Sequence, residues 1–482
     1  MIKQVVGEVL ERLQSDRAQP ARANSPTAPA PGGATGGDRF GIYDSMGDAV
    51  AAAHASFEKL REAGTGARKK AIDVVRRLCV EHAGEWGRLE LEETGIGRLD
   101  HKIEKLAICG ELVPGVEFLE RQAFSGDFGL TVIDFAPWGV VGAITPSTHS
   151  IPTLTGNAIN IIAAGNSAVF NTHPGACKCA ATAIRAYNEA IHAETGIGDL
   201  LTTVRKPTLD SFNEMCAHEH VRLLLVTGGP AVVQAAMKTG KRAICAGPGN
   251  PPVVVDATAD IERAARSIIQ GAAYDNNLLC IGEKEVFVVE KVADQLIAAL
   301  KSAGAVQLDS AQVEALTAKA FSVKPGEGGG CPHATLNKEL IGRDASVLAA
   351  AIGLQVPART ELLFGETDKD HYFVQEEQMM PFIPIVRTPD VDTAIRFAIE
   401  AEHNYKHTSI VHSRDIDVLT RFAQQCDTTL YIKNGPCMTG LGLGGEGFLS
   451  FSVATPTGEG VTTPMTFTRS RRCVMVENLN LY

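Results

Sequence analysis

Eleven cysteines are scattered through the 482 residues, and one stands where a thiol can be used. Cys280 lies in YDNNLLCIGEKEVFVV, between a predicted helix and the predicted strand EVFVV. A thiol in such a connection can be exposed while neighbouring backbone N–H groups point at whatever it attacks. A lone cysteine is more often a small buried hydrophobe, and position alone leaves both readings open. The remaining cysteines have no framework spacing. In a chain this long they read as reduced thiols. Cys177-Lys178-Cys179 and Cys331-Pro332-His333 lack the spacing of a zinc site, so no metal is expected.

Other reactive groups need loops to hold them, and the patterning supplies these. From about residue 128 the chain alternates short apolar runs with helical stretches: FGLTVIDFAP, GVVGAITP, a helix over 152–164, SAVFNTHP, a helix over 177–192, LLTTV, VRLLLVTGG and PPVVVD. Strand–helix–strand repetition predicts an α/β fold with a doubly wound parallel sheet. Ligands in such sheets bind beyond the carboxyl ends of the strands. That rule points to Thr145-Pro146-Ser147-Thr148-His149, Asn171-Thr172-His173-Pro174 and Thr227-Gly228-Gly229-Pro230. The expected organisation is a dinucleotide-binding domain over 39–256, a second α/β catalytic domain over 257–435, and a C-terminal return over 436–482. Further strands are expected at 128–137 and 464–475.

Residues 1–14 place Ile2, Val5, Val6, Val9, Leu10 and Leu13 at helical spacing. The Pro-, Ala-, Gly- and Ser-rich stretch over 15–38 has too little apolar surface to fold. A short helix on such a tether needs another surface to bury its stripe. Glu8, Glu11 and Arg12 interrupt any apolar leader core, so a cytoplasmic protein is expected. The net charge of -11 argues against a nucleic-acid partner. No membrane span is expected either, since no run of about 18 apolar residues occurs.

Taken together, several stretches resemble the aldehyde dehydrogenase superfamily, and within it the CoA-acylating branch found in bacterial microcompartments. They are GVVGAITPSTHS (139–150), NIIAAGNSAVFNTHP (160–174), RLLLVTGGPAVV (222–233), AGPGNPPVVVD (246–256), NNLLCIGEKEVFVV (276–289), EEQMMPFIPIVR (376–387) and KNGPCMTGLGLGGEGFLSFSVATPTGEGVT (433–462). The resemblance implies Cys280 as nucleophile, with Thr148 and His149 both open as the oxyanion donor beside the Cys280 N–H. It implies NAD held by Thr145, Pro146, Ser147, His173, Pro174, Gly228 and Gly229, with Glu377 orienting the nicotinamide ribose. Residues 1–14 resemble an encapsulation peptide, which implies shell or cargo proteins as partners, and the strands at 128–137 and 464–475 resemble the family's small β oligomerisation arm, which implies a homodimer or homotetramer. The run Gly440–Gly445 has the look of a dinucleotide fingerprint but precedes a strand-like stretch, so a glycine loop lining the substrate tunnel is expected.

Hydrolytic relatives carry a glutamate where this chain reads Cys245. Without that base water is poorly activated, whereas coenzyme A brings its own thiol. The implied reaction is therefore oxidation of a short-chain aldehyde to acyl-CoA through a Cys280 thioester. The alternatives are a hydrolytic enzyme releasing free acid and a non-catalytic protein that organises cargo.

Overall fold

Alternation of apolar runs with amphipathic helices produces two parallel sheets, each with its own core. The structure, a computed structural model, describes residues 40–324 and 333–479. The expected helix over 1–14, the linker over 15–38 and Cys331-Pro332 lie outside the described residues. The chain divides into two compact units. One takes the residues up to Thr94, Lys102–Ala246 and those from Leu449 onward, and the other takes Gly95–His101 and Gly247–Phe448. No helix of the described residues is long and apolar enough to cross a membrane.

In the first unit six parallel strands run in the order Ile42–Tyr43, Leu201–Val204, Ser167–Thr172, Val140–Thr145, Val221–Thr227, Arg242–Ala246. The chain builds outward from Val140–Thr145 on one side and then returns to its other side at Val221. The strand order reverses there, so the loops after Thr145 and Thr227 flank the switch-point crevice of this sheet. The helix Ser150–Ala163 has no polar face to show, and all of its residues are buried. Cys177–Thr195 is amphipathic and stops at Gly196, whose φ of 73° is the left-handed cap that glycine adopts most cheaply.

Gln122–Gly126, Gly129–Pro137 and Thr468–Val476 form a separate antiparallel sheet in the same unit. Both strands expected for the arm are present. The second starts later than expected, because Pro464–Phe467 makes one 3-10 turn first.

The second unit has seven parallel strands in the order Val306–Leu308, Leu363–Glu366, Phe382–Thr388, Glu285–Val289, Pro252–Val255, Thr408–His412, Leu430–Lys433. This corrects the expected boundary at 256. Pro252–Val255 pairs with Glu285–Val289 and Thr408–His412, so the chain leaves the first sheet after Ala246. A strand buried on both faces reads as one apolar run in either sheet, and the run itself does not say which sheet takes it. At the far end the return begins at Leu449 rather than 436. The stretch from Gly445 to Thr463 is largely irregular, with Val453–Ala454 and Gly460–Val461 pairing as a short antiparallel ribbon.

Candidate active site

The reactive cluster of the second unit lies at the amino edge of its sheet. Phe382–Thr388, Glu285–Val289, Pro252–Val255 and Thr408–His412 are four neighbours at the centre of the sheet. Because they are parallel, the segments that enter them share one edge. Those segments carry Glu377, Cys280 with Lys284, Gly249 and His407.

Cys280 is presented by a tight turn. Asp275, Asn276 and Asn277 all have positive φ, at 48°, 56° and 64°, a conformation that Asn and Asp tolerate best among side-chain-bearing residues. Asn277 Nδ2 donates to the carbonyls of Ala272 and Glu283, each at 2.9 Å. Asn276 Nδ2 donates to the Gly342 carbonyl at 3.0 Å and to Asp344 Oδ1 at 2.8 Å. Asp275 Oδ1 accepts the Arg98 N–H at 2.8 Å. With the turn fastened this way, every residue from 271 to 289 is buried except Cys280, which keeps partial exposure. The N–H groups of Cys280 and Ile281 point at the sulfur.

Gly249 is the meeting point of these segments. Its N–H points at the Glu377 carboxylate. A Cβ there would lie 2.5 Å from the Cys280 carbonyl oxygen and 3.0 Å from Cγ of His407. Glycine is required by close packing, not by backbone angle.

The electrostatics follow from burial. Desolvation and then the Glu377 charge push the Cys280 thiol up to about 12, against a pull downward from Lys284. Desolvation pushes Glu377 up to about 7, and Lys284 opposes it. Burial holds the Lys284 ammonium below its ordinary value. His407 is pushed down to about 4 by burial and by Lys284, so it is neutral at physiological pH. Its Nδ1 is 2.8 Å from Thr408 Oγ1, and its buried Nε2 has no hydrogen-bond partner among the described residues.

The first unit arranges the other expected residues on two adjoining loops and a third beside them. Thr145 is buried, and its carbonyl accepts the His173 N–H at 3.1 Å, which stitches the first two loops together. Pro146, Ser147 and Thr148 are half-buried. His149 is buried, with its ring centroid 5.6 Å from that of Phe451, and its carbonyl accepts both the N–H and Oγ1 of Thr153. Its ring therefore packs within this unit. His173 is exposed and takes the Gly175 N–H on Nδ1, capping the turn that begins at Pro174. Gly228 and Gly229 lead into the helix Pro230–Met237, and a Cβ on either would meet nothing within 4 Å. That leaves an open backbone cradle at a helix N-terminus, which suits a pyrophosphate. Cys245 is buried in the core, its thiol pushed up to about 11 by burial and then by Glu459, and its N–H bonds Thr457 Oγ1.

Sequence reasoning missed three participants. His407 sits in EHNYKHTS, whose only signal is a histidine just before an apolar run. Lys284 lies four residues past Cys280, and nothing in its type or spacing marks it. The third is a pair: Glu90 and Lys102, each 1% exposed, form an ion pair at 2.8 Å. Glu90 Oε2 accepts the Ile151 N–H at 2.9 Å, and Lys102 Nζ reaches the Thr148 carbonyl at 3.4 Å. The pair thus braces the Thr148–His149 loop and the start of its helix.

Comparisons with known proteins place this geometry. The chain is 45% identical to an acetylating acetaldehyde dehydrogenase of Salmonella typhimurium, over 99% of this chain and 98% of that protein. A crystal structure of Rhodopseudomonas palustris propionaldehyde dehydrogenase, with bound CoA and an acylated cysteine, has 42% identity and a TM-score of 0.88, covering 92% of this chain and 100% of that one. A propionaldehyde dehydrogenase from the Clostridium phytofermentans fucose utilisation microcompartment has 40% identity and the same TM-score and coverage. Residues 39–315, which hold the switch-point loops and the cysteine turn, match the model of one family. With that match and near-complete coverage of these relatives, the chain belongs to the aldehyde dehydrogenase family.

Proposed function

We propose that the protein oxidises a short-chain aldehyde and passes the acyl group to coenzyme A, with NAD as hydride acceptor. The observation that carries this reading is the turn that leaves only Cys280 reachable, with two backbone N–H groups aimed at its sulfur. The Cys280 thiolate adds to the aldehyde carbonyl to give a thiohemiacetal. Loss of hydride from that carbon leaves a thioester on the sulfur. Preorganised N–H donors stabilise the oxyanion of the first step.

The cradle at Gly228 and Gly229, with Thr145–Ser147, His173 and Pro174, fits a dinucleotide. When bound, the nicotinamide supplies a hydride acceptor. Glu377, on the cysteine's own edge, is the carboxylate that would hold the nicotinamide ribose.

Resolution of the thioester is what favours CoA. The strand end carries the buried thiol of Cys245 where hydrolytic relatives carry their glutamate, and the neighbouring Glu459 carboxylate is paired with Arg242 at 3.3 Å. His407 is neutral, and its Nε2 is available to take the proton of an incoming thiol. The mercaptide then attacks the thioester carbon and Cys280 leaves as thiolate. The relatives named for CoA acylation and the acylated cysteine of a solved relative support this order of events.

The test is an NADH assay with a panel of short aldehydes, run with and without CoA. Dependence on CoA is expected; rapid turnover without it means an acid-forming enzyme. Cys280→Ala is expected to abolish turnover and keep NAD binding.

The setting is part of the proposal. Residues 1–14 dock on microcompartment shell or cargo proteins, and the β arm joins copies into a homodimer or homotetramer. A microcompartment relative supports the first. The second is supported by Phe128, Val474 and Val476, which leave apolar surface on the arm at 89%, 55% and 63% exposure. Removing residues 1–37 is expected to leave turnover intact and end co-purification with shells.

A further inference from the structure

The strand Val221–Thr227 loses support on one side just before the Gly228–Gly229 cradle. Its pairing with Val140–Thr145 is last made at Val226, opposite Ile144, and Thr227 pairs only with Ala246 on the other side. Neither Gly228 nor Gly229 donates its N–H to another group among the described residues. In the helix that follows, Pro230–Met237, only Val233 and Ala236 are buried. Two glycines between a strand end and a thinly packed helix have much conformational freedom to lose when a ligand binds.

One side chain reaches across to that strand end. Ser452 Oγ gives its hydrogen to Asn157 Oδ1 at 2.9 Å, so in its 2.6 Å contact with Thr227 Oγ1 the threonine is the donor. Thr227, Ser452 and Asn157 are all buried, which keeps water from competing for these bonds.

Ser452 is itself well anchored. Its N–H donates to Ser450 Oγ at 3.1 Å, and its carbonyl accepts the Thr462 N–H at 3.2 Å and Oγ1 at 2.9 Å. Ser450 Oγ and Thr462 Oγ1 are in turn 2.7 Å apart. The ribbon that follows is tied to the neighbouring strand Arg242–Ala246, where Thr457 Oγ1 accepts the Cys245 N–H at 3.0 Å. Burial alone would be met as well by apolar side chains at 227 and 452, which leave no hydroxyl to satisfy. The two hydroxyls instead fix a direction at the last residue before the glycines.

We propose that Ser452 is a positioning residue for the dinucleotide: through Thr227 it fixes the strand end from which the N–H groups of the cradle meet the pyrophosphate. This rests on Gly228–Gly229 as the dinucleotide site, a reading that a variant of the cradle itself tests separately.

The experiment is calorimetric titration of NAD into the full chain, with steady-state KM and kcat measured beside it. Thr227→Val and Ser452→Ala each remove the bond, and Thr227→Ser keeps a hydroxyl at the same place. Both losses are expected to weaken NAD binding about tenfold, with the change falling on KM for NAD rather than on kcat. The double variant is expected to be no weaker than either single one, because both remove the same contact. Thr227→Ser is expected to bind as the parent does. Gly229→Asp puts a carboxylate on the cradle at a helix-capping position that aspartate suits, and is expected to abolish NAD binding. Normal binding by Gly229→Asp overturns the cradle reading, and this proposal with it. Weak binding by Gly229→Asp alone overturns the proposal and leaves the cradle standing. Weakening by only one of Thr227→Val and Ser452→Ala also overturns it, because the effect would not run through their bond. So does a fall in melting temperature with NAD affinity unchanged, which is what loss of packing would give.

Discussion

The carbonyl oxygen of Cys280 occupies the space that a side chain at Gly249 would fill, 2.5 Å from where its Cβ would be. The turn that carries Cys280 and the Gly249 segment are therefore packed against each other at the backbone. Gly249→Ala is expected to displace Cys280 while leaving the two sheets folded. Misplacement on the order of 1 Å can cost about 100-fold in rate. The check is kcat/KM beside a thermal melt, and full activity in Gly249→Ala would show that the packing is slack.

His407→Ala should separate the two halves of the reaction. In the proposed mechanism acylation of Cys280 does not use this imidazole, so the first-turnover burst of NADH is expected to survive. Steady-state turnover with CoA is expected to fall by a factor of about 100 to 10,000, the usual value of a positioned base. Stopped-flow absorbance at the NADH band reads both phases. Loss of the burst itself would move His407 to an earlier step.

Glu283 gives a pH prediction whose sign is fixed. Its folded value, raised to about 7 by burial, lies above the ordinary 4.5. The protonated form's stabilisation is fully present below the unfolded value and is lost as pH rises through about 7. Glu283→Gln keeps an acceptor for the Cys437 N–H, which now bonds Oε1 at 3.0 Å. The variant is expected to be more stable than the parent by about 3 kcal/mol near pH 8, with no gain near pH 4.5. Urea unfolding at the two pH values measures it, and a gain independent of pH would point to packing.

The Glu90–Lys102 pair is buried and hydrogen-bonded on both sides. Removing one partner strands the other charge, at about 3–5 kcal/mol. Lys102→Met is therefore expected to be far worse than the double change Glu90→Gln with Lys102→Met. Chemical denaturation of the two variants decides this, and equal losses would mean that the charges do not depend on each other.

The β arm offers a test of assembly. Lysine at both Val474 and Val476 is expected to give a smaller species in sedimentation velocity, with each unit still folded by circular dichroism. Burying such side chains is worth about 25 cal/mol per Å². An unchanged sedimentation coefficient would place the subunit interface elsewhere.

Much of the site could be read from the sequence because it follows local order. Thr145–His149, His173–Pro174 and Gly228–Gly229 each sit between an apolar run and a helix, and a parallel sheet puts such loops on one edge. Cys280 was marked by its turn and its motif. The meaning of Gly249, Lys284 and His407 was not legible, because it depends on which strands are neighbours. Residues 249, 284 and 407 enter strands that are distant in sequence and come together only once the sheet order is known. The same blindness set the boundary at 256 rather than after Ala246. Thr148 and His149 looked equivalent on paper; in the structure the His149 side chain is buried with its ring 5.6 Å from Phe451, and Thr148 is half-buried.

The first unit is stitched closed by its own last residues. Asn157 Oδ1 accepts from Ser452 Oγ, Asn160 Nδ2 donates to the Thr462 carbonyl, and Asn166 Nδ2 donates to that of Phe467. During synthesis these buried amides wait through some 300 residues of elongation before their partners leave the ribosome, while Gly247–Phe448, a nearly continuous stretch, is already complete. The half of the protein that is begun first is therefore finished last. A chain truncated near its C-terminus loses the closing seam of its first unit even when every residue assigned to chemistry is present.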